Sequence, residues 1–439
     1  MRGTLVTGKP GKAAVPPAPE IMDWDFATAD TQELTHGLHY YPARMVPQIA
    51  ARLLDLLWNS PTLILDPFAG SGTTLLEALL RRHRTIGIDV NPVANYLARA
   101  KCTIPETPID VAILQDQIDH EETSIDLEVD PLYLQAQKNI DYWYERPVAE
   151  HLLAIHHGIR NYLDVTEDQT QQWVLWVTLM ATVYACSRGT QDGSSFHTRG
   201  TLPSRETVPV PYFTRKLVEN IAKIGRLAET FASIRYPPIE GSLADVLDGS
   251  TRATFNLTLG NSLDVLETLP EESIGGVITS PPYGDEHSTV NYTRYTKHAA
   301  FWFGLTPAEV KQGSGETLSS RKLTTLPDGI HETENVLGEL RRAHELDSEK
   351  VVHFLSEFHQ VLSSFHRILT PGAGCAIVIA NRRVRQVNIP MDLVTSELAA
   401  SAGFSVEKIY YRTFPKKVVA WTTISGSSMD QENIIILRK

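Results

Sequence analysis

The chain has 439 residues, 42% of them hydrophobic and 21% charged, which is the composition of a globular protein longer than one hydrophobic core usually serves. Its formal net charge of −12 excludes a protein that coats nucleic acid indiscriminately, because phosphate neutralisation needs clustered lysine and arginine. Three cysteines without C-x-x-C spacing support neither a disulfide framework nor a cysteine zinc site. We expect a cytoplasmic protein with local nucleic-acid contacts, no metal and no membrane span.

The alternation of short apolar runs with helical patterns predicts the fold class. Residues 1–35 open with a run rich in Pro, Ala and Gly and are predicted to be a mobile tail. Helical patterns such as 73–83 and 351–368 then lie between strand-like runs, which predicts an α/β protein with a mostly parallel sheet. The predicted strands are 62–66, 85–90, 256–260, 275–280, 374–380, 405–411 and 433–438.

Two stretches interrupt this alternation. Between 103 and 254 the patterns at 131–165 and 169–186 predict helices, and 187–212 reads as a loop rich in Gly, Ser, Thr and Pro. We interpret 103–254 as a mainly helical insertion and a candidate target-recognition region. The polar stretch 306–350 is predicted to be a flexible excursion.

The first predicted strand ends at Asp66 and leads through Gly70-Ser71-Gly72 into a helix that begins at Thr73. The glycines allow close approach of a ligand, and the helix N-terminus suits a carboxylate such as that of a methionine moiety. Leu75 stands where a dinucleotide fingerprint needs its third glycine, and the lysine of a P-loop is absent. Asp89, at the end of the next strand, can accept hydrogen bonds from ribose hydroxyls. An ordinary tight turn between strand and helix would show the same glycines.

The second motif is Ser280-Pro281-Pro282-Tyr283, directly after a predicted strand. Two prolines fix φ and remove two N–H donors, so the carbonyls of this turn are held rigidly. Ser280 Oγ and the Pro281 carbonyl could accept the two protons of an exocyclic base amine, which would direct the nitrogen lone pair at a sulfonium methyl for in-line transfer. Tyr283 offers a stacking face for a flipped-out base. No cysteine follows a proline, which disfavours the thiolate chemistry of methylation at ring carbon 5.

The segments DPFAGSGT at 66–73 and TSPPY at 279–283 resemble the cofactor and catalytic motifs of the DNA amino-methyltransferases that act on N4 of cytosine or N6 of adenine. This resemblance implies a Rossmann-like class I fold with a seven-stranded sheet, S-adenosyl-L-methionine as cofactor and double-stranded DNA as substrate. It assigns 36–102 and 255–439 to the catalytic domain. Serine at 280 is typical of the cytosine enzymes, whereas adenine enzymes more often carry Asp or Asn there.

Two further segments resemble cofactor motifs of the same family. HYYPAR at 39–44 is similar to an additional N-terminal motif, and GNSL at 260–263 is similar to a G-D-S-L segment in which this chain has Asn261 instead of Asp. The cofactor residues that the motifs and the resemblance together predict are Tyr41, Pro42, Ala43, Asp66, Pro67, Phe68, Gly70, Ser71, Gly72, Thr73, Asp89, Asn91, Asn261 and Ser262.

Local basic residues are the candidates for DNA contact in this acidic chain. Arg188, His197 and Arg199 lie in the polar loop and could read bases, although a plain surface loop has the same composition. The residues Arg382, Arg383 and Arg385 follow a predicted strand at the sheet edge where ligands bind, although most charge runs are solvated faces.

Three other functions remain open at this stage. The first is N6-adenine methylation by the same mechanism, since Ser280 alone carries the cytosine assignment. The second is methylation of an exocyclic amine in RNA, against which stand Ser280 and the lack of a recognisable RNA-binding module. The third is a non-catalytic cofactor-binding subunit, which should have lost one of the two motifs. Whether a restriction endonuclease accompanies the chain is also open.

Overall fold

The computed structural model describes residues 23–42, 44–192, 195–198, 208–282, 299–303, 305, 318, 320–384, 386–413 and 431–439, with backbone only for 190–192 and 195–198. Within these ranges the strands form one large sheet and two hairpins. The strands are β1 (Leu63–Asp66), β2 (Arg84–Asp89), β3 (Gly189–Asp192), β4 (Ser195–Thr198), β5 (Phe255–Leu259), β6 (Ile274–Thr279), β7 (Leu369–Ala380), β8 (Arg382–Val384), β9 (Val387–Ile389), β10 (Ser405–Thr413) and β11 (Gln431–Arg438).

The large sheet has seven strands in the order β10-β11-β7-β6-β1-β2-β5. Neighbours from β7 to β5 are parallel, whereas β11 runs antiparallel to both β7 and β10. The chain therefore winds outward from β1 in both directions, and the reversal falls between β1 and β6. Ligands of open α/β sheets bind outside the carboxyl ends of the strands at such a reversal. The predicted fold class, a seven-stranded and mostly parallel Rossmann-like sheet, is confirmed.

Helices cover both faces of this sheet. Leu63 and Leu65 point to one face and Ile64 to the other, as alternation along a strand requires. The helices are α1 (Pro47–Leu57), α2 (Thr73–Leu80), α3 (Pro92–Cys102), α4 (Val111–Glu122), α5 (Pro131–Trp143), α6 (Arg146–Val165), α7 (Gln171–Cys186), α8 (Pro209–Ile234), α9 (Leu243–Asp248), α10 (Ser262–Thr268), α11 (His331–Ala343), α12 (Glu345–Ile368) and α13 (Met391–Ser401). One face of the sheet packs on α9 to α13 and the other on α1, α2, α3 and the end of α8.

Helices α4 to α8 lie in the segment 103–254 and build a second hydrophobic core, into which the outer face of α3 packs. The long helix α8 belongs to both cores. Its first half buries Phe213 and Leu217 among the helices of the insertion, while its second half buries Leu227 and Phe231 against α2 and β5 of the sheet. Residues 299–302 pack into the core of the insertion as well. The helical segment is therefore packed firmly on the sheet domain.

Two boundaries predicted from the sequence are wrong. Residues 23–35 were expected to be part of a mobile tail, but Trp24 is 2% exposed and packs beside Tyr410 of β10, and Thr35 is fully buried. Residues 331–350 were expected to be part of a flexible excursion, but they form α11 and the start of α12. Their apolar positions, such as Val336 and Leu340, recur at helical spacing and bury one face beneath a charged one.

Among the described residues, every helix is too short or too polar to span a lipid bilayer.

Candidate cofactor and catalytic site

The glycine turn after β1 is shaped by two residues with positive φ, Gly70 at +50° and Gly72 at +78°. Its backbone is fixed at both sides, since Ala69 N–H donates to the Ile88 carbonyl at 3.0 Å and Gly72 N–H donates to the Ala69 carbonyl at 2.8 Å. A Cβ on Gly72 would lie 2.8 Å from the Cβ of Ala98, so only glycine lets α3 pack this closely. The turn delivers the chain directly into the N-terminus of α2 at Thr73.

Asp66, the last residue of β1, connects the glycine turn to the neighbouring strand. Its Oδ1 accepts hydrogen bonds from Thr279 Oγ1 at 2.7 Å and from Phe68 N–H at 3.2 Å. Thr279 is the last residue of β6 and is fully buried, so the bond joins the carboxyl ends of two adjacent strands. Asp66 therefore couples the position of the cofactor turn to that of the residues that follow β6.

Asp89, the last residue of β2, holds two neighbouring turns through its carboxylate. Oδ2 accepts from Gly70 N–H at 2.7 Å, and Oδ1 accepts from Asn91 N–H at 2.8 Å. These bonds orient the glycine turn and the start of α3. The remaining lone pairs of a carboxylate can still accept a ligand hydroxyl, so the predicted ribose contact stays a proposal.

Burial raises the pKa of both carboxyl groups in the site. The pKa of Asp66 rises from 3.8 to about 6 because burial outweighs its hydrogen bonds with Thr74, Thr279 and Phe68, and the nearby charge of Asp89 adds to the rise. The pKa of Asp89 also rises to about 6 because burial outweighs the two backbone hydrogen bonds that it accepts. Two titrating carboxyl groups thus lie beneath one turn.

The N-terminal motif reaches this turn through Tyr41. The Tyr41 hydroxyl accepts a hydrogen bond from Asn91 Nδ2 at 3.1 Å, and the Tyr41 ring lies 3.7 Å from where a Cβ on Gly70 would stand. Asn91 also caps α3, since its side chain accepts from Val93 N–H. Pro42 is buried beside Tyr41, whereas Ala43 lies outside the described residues. The structure therefore brings Tyr41 and Asn91 together at the cofactor turn.

The segment after β5 approaches the same turn from the other side. Gly260 N–H donates to the Asp89 carbonyl at 3.0 Å, and Ser262 Oγ donates to the Pro67 carbonyl. Asn261 caps α10 by accepting from Leu263 N–H. Phe68 is half-buried and packs on the adjoining core. Asn261 and Ser262 thus border the site, with Ser262 in a structural bond to the cofactor turn.

The catalytic motif begins directly beyond Thr279. Ser280 and Pro282 are half-buried and Pro281 is buried, at the carboxyl end of β6 next to Asp66. Tyr283 lies outside the described residues. The two motifs that the sequence separates by more than two hundred residues therefore meet at the β1–β6 reversal, with the Asp66–Thr279 bond between them.

The described residues around the turn suit a ligand with hydroxyl and carboxylate groups. Thr73 Oγ1, in the first turn of α2, is buried and has no hydrogen-bond partner among the residues that the structure describes. Nearby, Ser71 Oγ accepts a hydrogen bond from the buried Lys101 ammonium at 2.8 Å.

Across the described ranges no three His, Cys, Asp or Glu side chains are grouped to hold a metal ion.

The residues predicted to contact DNA differ in how exposed they are to solvent. Arg382 is 6% exposed with its guanidinium 5.8 Å from the centre of the Phe354 ring, so the phosphate contact predicted for Arg382 is not supported. Arg383, on the same β8–β9 hairpin, is exposed. Arg188 is half-buried, and its guanidinium lies near the Asp141 carbonyl of α5. The side chain of His197, on β4, and the residues Arg199 and Arg385 lie outside the described parts.

Sequence reasoning missed two polar residues of the site. Thr279 was read only as part of the TSPPY motif, yet its hydroxyl joins the two strands. Lys101 lies in the last turn of α3, where a cation usually stabilises the helix dipole, so nothing local marks it as part of a site. Burial and proximity to Ser71 become visible only when α3 packs across the glycine turn.

Charge is distributed very unevenly over the insertion. Residues 106–168, which include α4 to α6, hold fifteen Asp and Glu but three Lys and Arg, and most of these acids are exposed. This segment, here called the acidic lobe, accounts for a net charge of −12, which equals that of the whole chain. The rest of the protein is therefore neutral overall. Since duplex phosphates repel such a surface, the acidic lobe is unsuited to DNA contact.

The family model and the relatives found by sequence are all DNA methyltransferases. The family described as DNA methylase, of N6 and N4 type, matches residues 18–99. The Type II methyltransferase M.MvaI of Kocuria varians is 26% identical over 418 residues, covering 89% of this chain and 87% of its own. The Type II methyltransferase M.BsoBI of Geobacillus stearothermophilus is 22% identical over 400 residues, covering 79% of this chain and 74% of its own.

Among solved structures, a putative DNA modification methylase from Thermus thermophilus, complexed with S-adenosyl-L-methionine, is 18% identical to this chain. The match covers 41% of this chain and 53% of that one, with a TM-score of 0.24.

Proposed function

Because the chain belongs to the DNA amino-methyltransferase family, we propose that it transfers a methyl group from S-adenosyl-L-methionine to the exocyclic N4 nitrogen of cytosine in DNA. The observation that carries the proposal is the meeting of the glycine turn and the Ser280-Pro281-Pro282 turn, which the Asp66–Thr279 hydrogen bond of 2.7 Å joins. A methyl donor in the first turn and an acceptor amine at the second would then be neighbours. Such positioning is the main requirement of a direct methyl transfer.

The residues around the glycine turn fit this cofactor. Gly70 and Gly72 leave room for close approach, and the N-terminus of α2 with the buried Thr73 hydroxyl offers hydrogen bonds to a carboxylate. Asp89 would accept from ribose hydroxyls, and Tyr41 would border the methionine end. S-adenosyl-L-methionine supplies an electrophilic methyl group on a sulfonium sulfur.

The acceptor chemistry belongs to Ser280 and Pro281. The amine of cytosine is a weak nucleophile because its lone pair is delocalised into the ring. Accepting its two N–H protons at Ser280 Oγ and the Pro281 carbonyl would favour a pyramidal nitrogen with a localised lone pair. The attack would form a carbon–nitrogen bond as the carbon–sulfur bond breaks and leaves its electron pair on the thioether sulfur, and one amine proton would then pass to water. The prolines keep this turn from adjusting, so the acceptor geometry is set before the base arrives.

The target base must leave the duplex to reach this turn. Tyr283, the next residue after Pro282, would provide the stacking face for the flipped-out base. Arg383, exposed on the hairpin after β7, would contact a phosphate at the same edge of the sheet. The loop with Arg188, His197 and Arg199 would contribute base recognition, and Arg385 would add a phosphate contact.

The test is to incubate the protein with S-adenosyl-L-methionine labelled in its methyl group and unmodified DNA, and to identify the labelled nucleoside by chromatography and mass. Label in N4-methyldeoxycytidine is the expected result. Label in N6-methyldeoxyadenosine would retain the mechanism and overturn the role given to Ser280 in base choice. Label only in RNA, in a parallel reaction, would replace the substrate. Cofactor binding without transfer to either nucleic acid would favour a subunit that needs a partner.

A further inference from the structure

The ammonium of Lys101 is buried without a matching negative charge. Lys101 is 1% exposed, and its Nζ donates to Ser71 Oγ at 2.8 Å. Among the residues that the structure describes, it has no carboxylate ion-pair partner. Burying a lysine in this way is costly unless the charge is compensated or lost. Burial accordingly lowers the pKa of Lys101 well below its ordinary value.

The residues around Lys101 add positive charge instead of balancing it. Arg44 approaches from the N-terminal motif and lowers the pKa of Lys101 further. His36 faces the same region, but Glu77 is already engaged by His36 at 2.9 Å and by Arg81 at 2.7 Å. The carboxylate of Glu77 is therefore committed to other partners. The neighbourhood of Lys101 is electropositive and suits an anion.

The position of Lys101 is fixed with respect to the glycine turn. Thr35 Oγ1 donates to the Lys101 carbonyl at 2.8 Å, which anchors the end of α3 to the N-terminal segment. Ala98, one turn earlier in α3, packs against Gly72. The ammonium is thus held beside Ser71, two residues before α2 begins at Thr73, whose buried hydroxyl has no hydrogen-bond partner among the described residues.

We propose that Lys101 supplies the positive charge that binds the α-carboxylate of the cofactor, next to the Gly70–Gly72 turn. This inference rests on the proposed function, because it takes S-adenosyl-L-methionine to be the ligand of that turn. The methionine end of the cofactor carries a carboxylate and an amine, and only the carboxylate is recognised by an ammonium. Lys101 therefore makes the site selective for a ligand that carries this group.

The experiment compares two ligands that differ in this carboxylate alone, S-adenosyl-L-methionine and its decarboxylated analogue, by isothermal titration calorimetry. We expect the wild-type protein to bind the first about 10- to 100-fold more tightly, the range for a hydrogen-bonded charge pair. Lys101→Met removes the charge at similar volume and should abolish most of this preference, while affinity for the analogue changes less than about twofold. Lys223→Met is the matched control, since Lys223 donates to the Gly37 carbonyl of the same N-terminal segment. Its ligand preference should stay that of the wild type.

The outcomes separate this inference from the proposed function. If the wild-type protein binds both ligands equally, Lys101 does not bind the carboxylate, and no variant is needed to show it. The same conclusion follows if Lys101→Met loses affinity for both ligands equally. If Lys101→Met does not fold, Lys101→Gln takes its place. A wild-type protein that binds neither ligand would instead overturn the proposed function on which the inference depends.

Discussion

The acidic lobe and the carboxyl edge of the sheet both rely on carboxylates, but in opposite ways. In the acidic lobe, fifteen Asp and Glu lie mostly in solvent and give the protein its entire net charge. At the sheet edge, Asp66 is buried and Asp89 is half-buried, and both accept hydrogen bonds from named neighbours and hold two turns in place. Exposed carboxylates create a long-range field, whereas buried ones fix local geometry. The comparison teaches that the net charge of this chain says little about its candidate active site.

The largest expected effect lies at the sheet edge, at Ser280. Removing one preorganised hydrogen-bonding group from a reacting centre costs about 10²- to 10³-fold in kcat, so Ser280→Ala should lose that much methyl transfer. Affinity for S-adenosyl-L-methionine, measured by calorimetry, should change less than about twofold. Ser273→Ala is the control at the opposite end of β6, where Ser273 Oγ donates to the Pro270 carbonyl. If Ser280→Ala keeps the methyl-transfer rate of the wild type, Ser280 at the carboxyl edge of the sheet takes no part in catalysis.

The buried state of Asp66 should appear in the pH dependence of stability. Because the folded-state pKa is raised from 3.8 to about 6, this group stabilises the fold fully below about pH 3.8 and loses that contribution as pH rises through about 6. Asp66→Asn cannot ionise and keeps an acceptor for Thr279. The unfolding free energy of the variant, relative to wild type, should therefore rise by on the order of 3 kcal/mol from pH 4 to 7. Urea unfolding at both pH values measures this difference, and a constant difference would show that Asp66 is not buried as described.

Asp89→Ala should weaken cofactor binding, because Gly70 N–H and Asn91 N–H both lose their acceptor. We expect affinity for S-adenosyl-L-methionine to fall about 10- to 100-fold, and kcat at saturating cofactor to fall much less. Asp116→Ala, an exposed carboxylate on α4 of the acidic lobe, is the matched control and should leave cofactor affinity unchanged. Similar losses of cofactor affinity in Asp89→Ala and Asp116→Ala would show that Asp89 has no specific role in cofactor binding.

The smallest expected effect concerns DNA. Arg383→Ala should weaken DNA binding a few-fold and reduce the slope of log affinity against log salt by about 1, because one phosphate contact is lost. Neutralising Asp116 and Asp119 together on the acidic lobe should leave affinity unchanged or raise it slightly. Fluorescence anisotropy with a labelled duplex over a salt series measures both. Weaker binding after neutralisation of the lobe would mean that the acidic lobe takes part in DNA contact.

The sequence predicted those features that depend on local pattern. Strand and turn signals located the seven strands of the sheet and both motifs, because each is encoded within about ten residues. The helix α11 was missed because its charged face dominates the composition, while Val336 and Leu340 are buried only by packing on α12 and its neighbours. Lys101 and Thr279 were missed for a related reason, since their roles arise from contacts with residues far away in the sequence. A phosphate contact was predicted for Arg382, which is 6% exposed, because a run of basic residues does not reveal which of them is buried.

Because α8 packs both in the core of the insertion and on the sheet, it limits where segments of this enzyme could be exchanged. Exchanging the segment 103–254 for that of a relative would remove Leu227 and Phe231 from the sheet and expose the apolar surface of α2 and β5 that they cover. A chimera with a boundary near Gly225, an exposed position with nothing within 4 Å of an added Cβ, would keep the second half of α8 with the sheet. The seam between interchangeable parts would then run through the middle of a helix, and not through a loop.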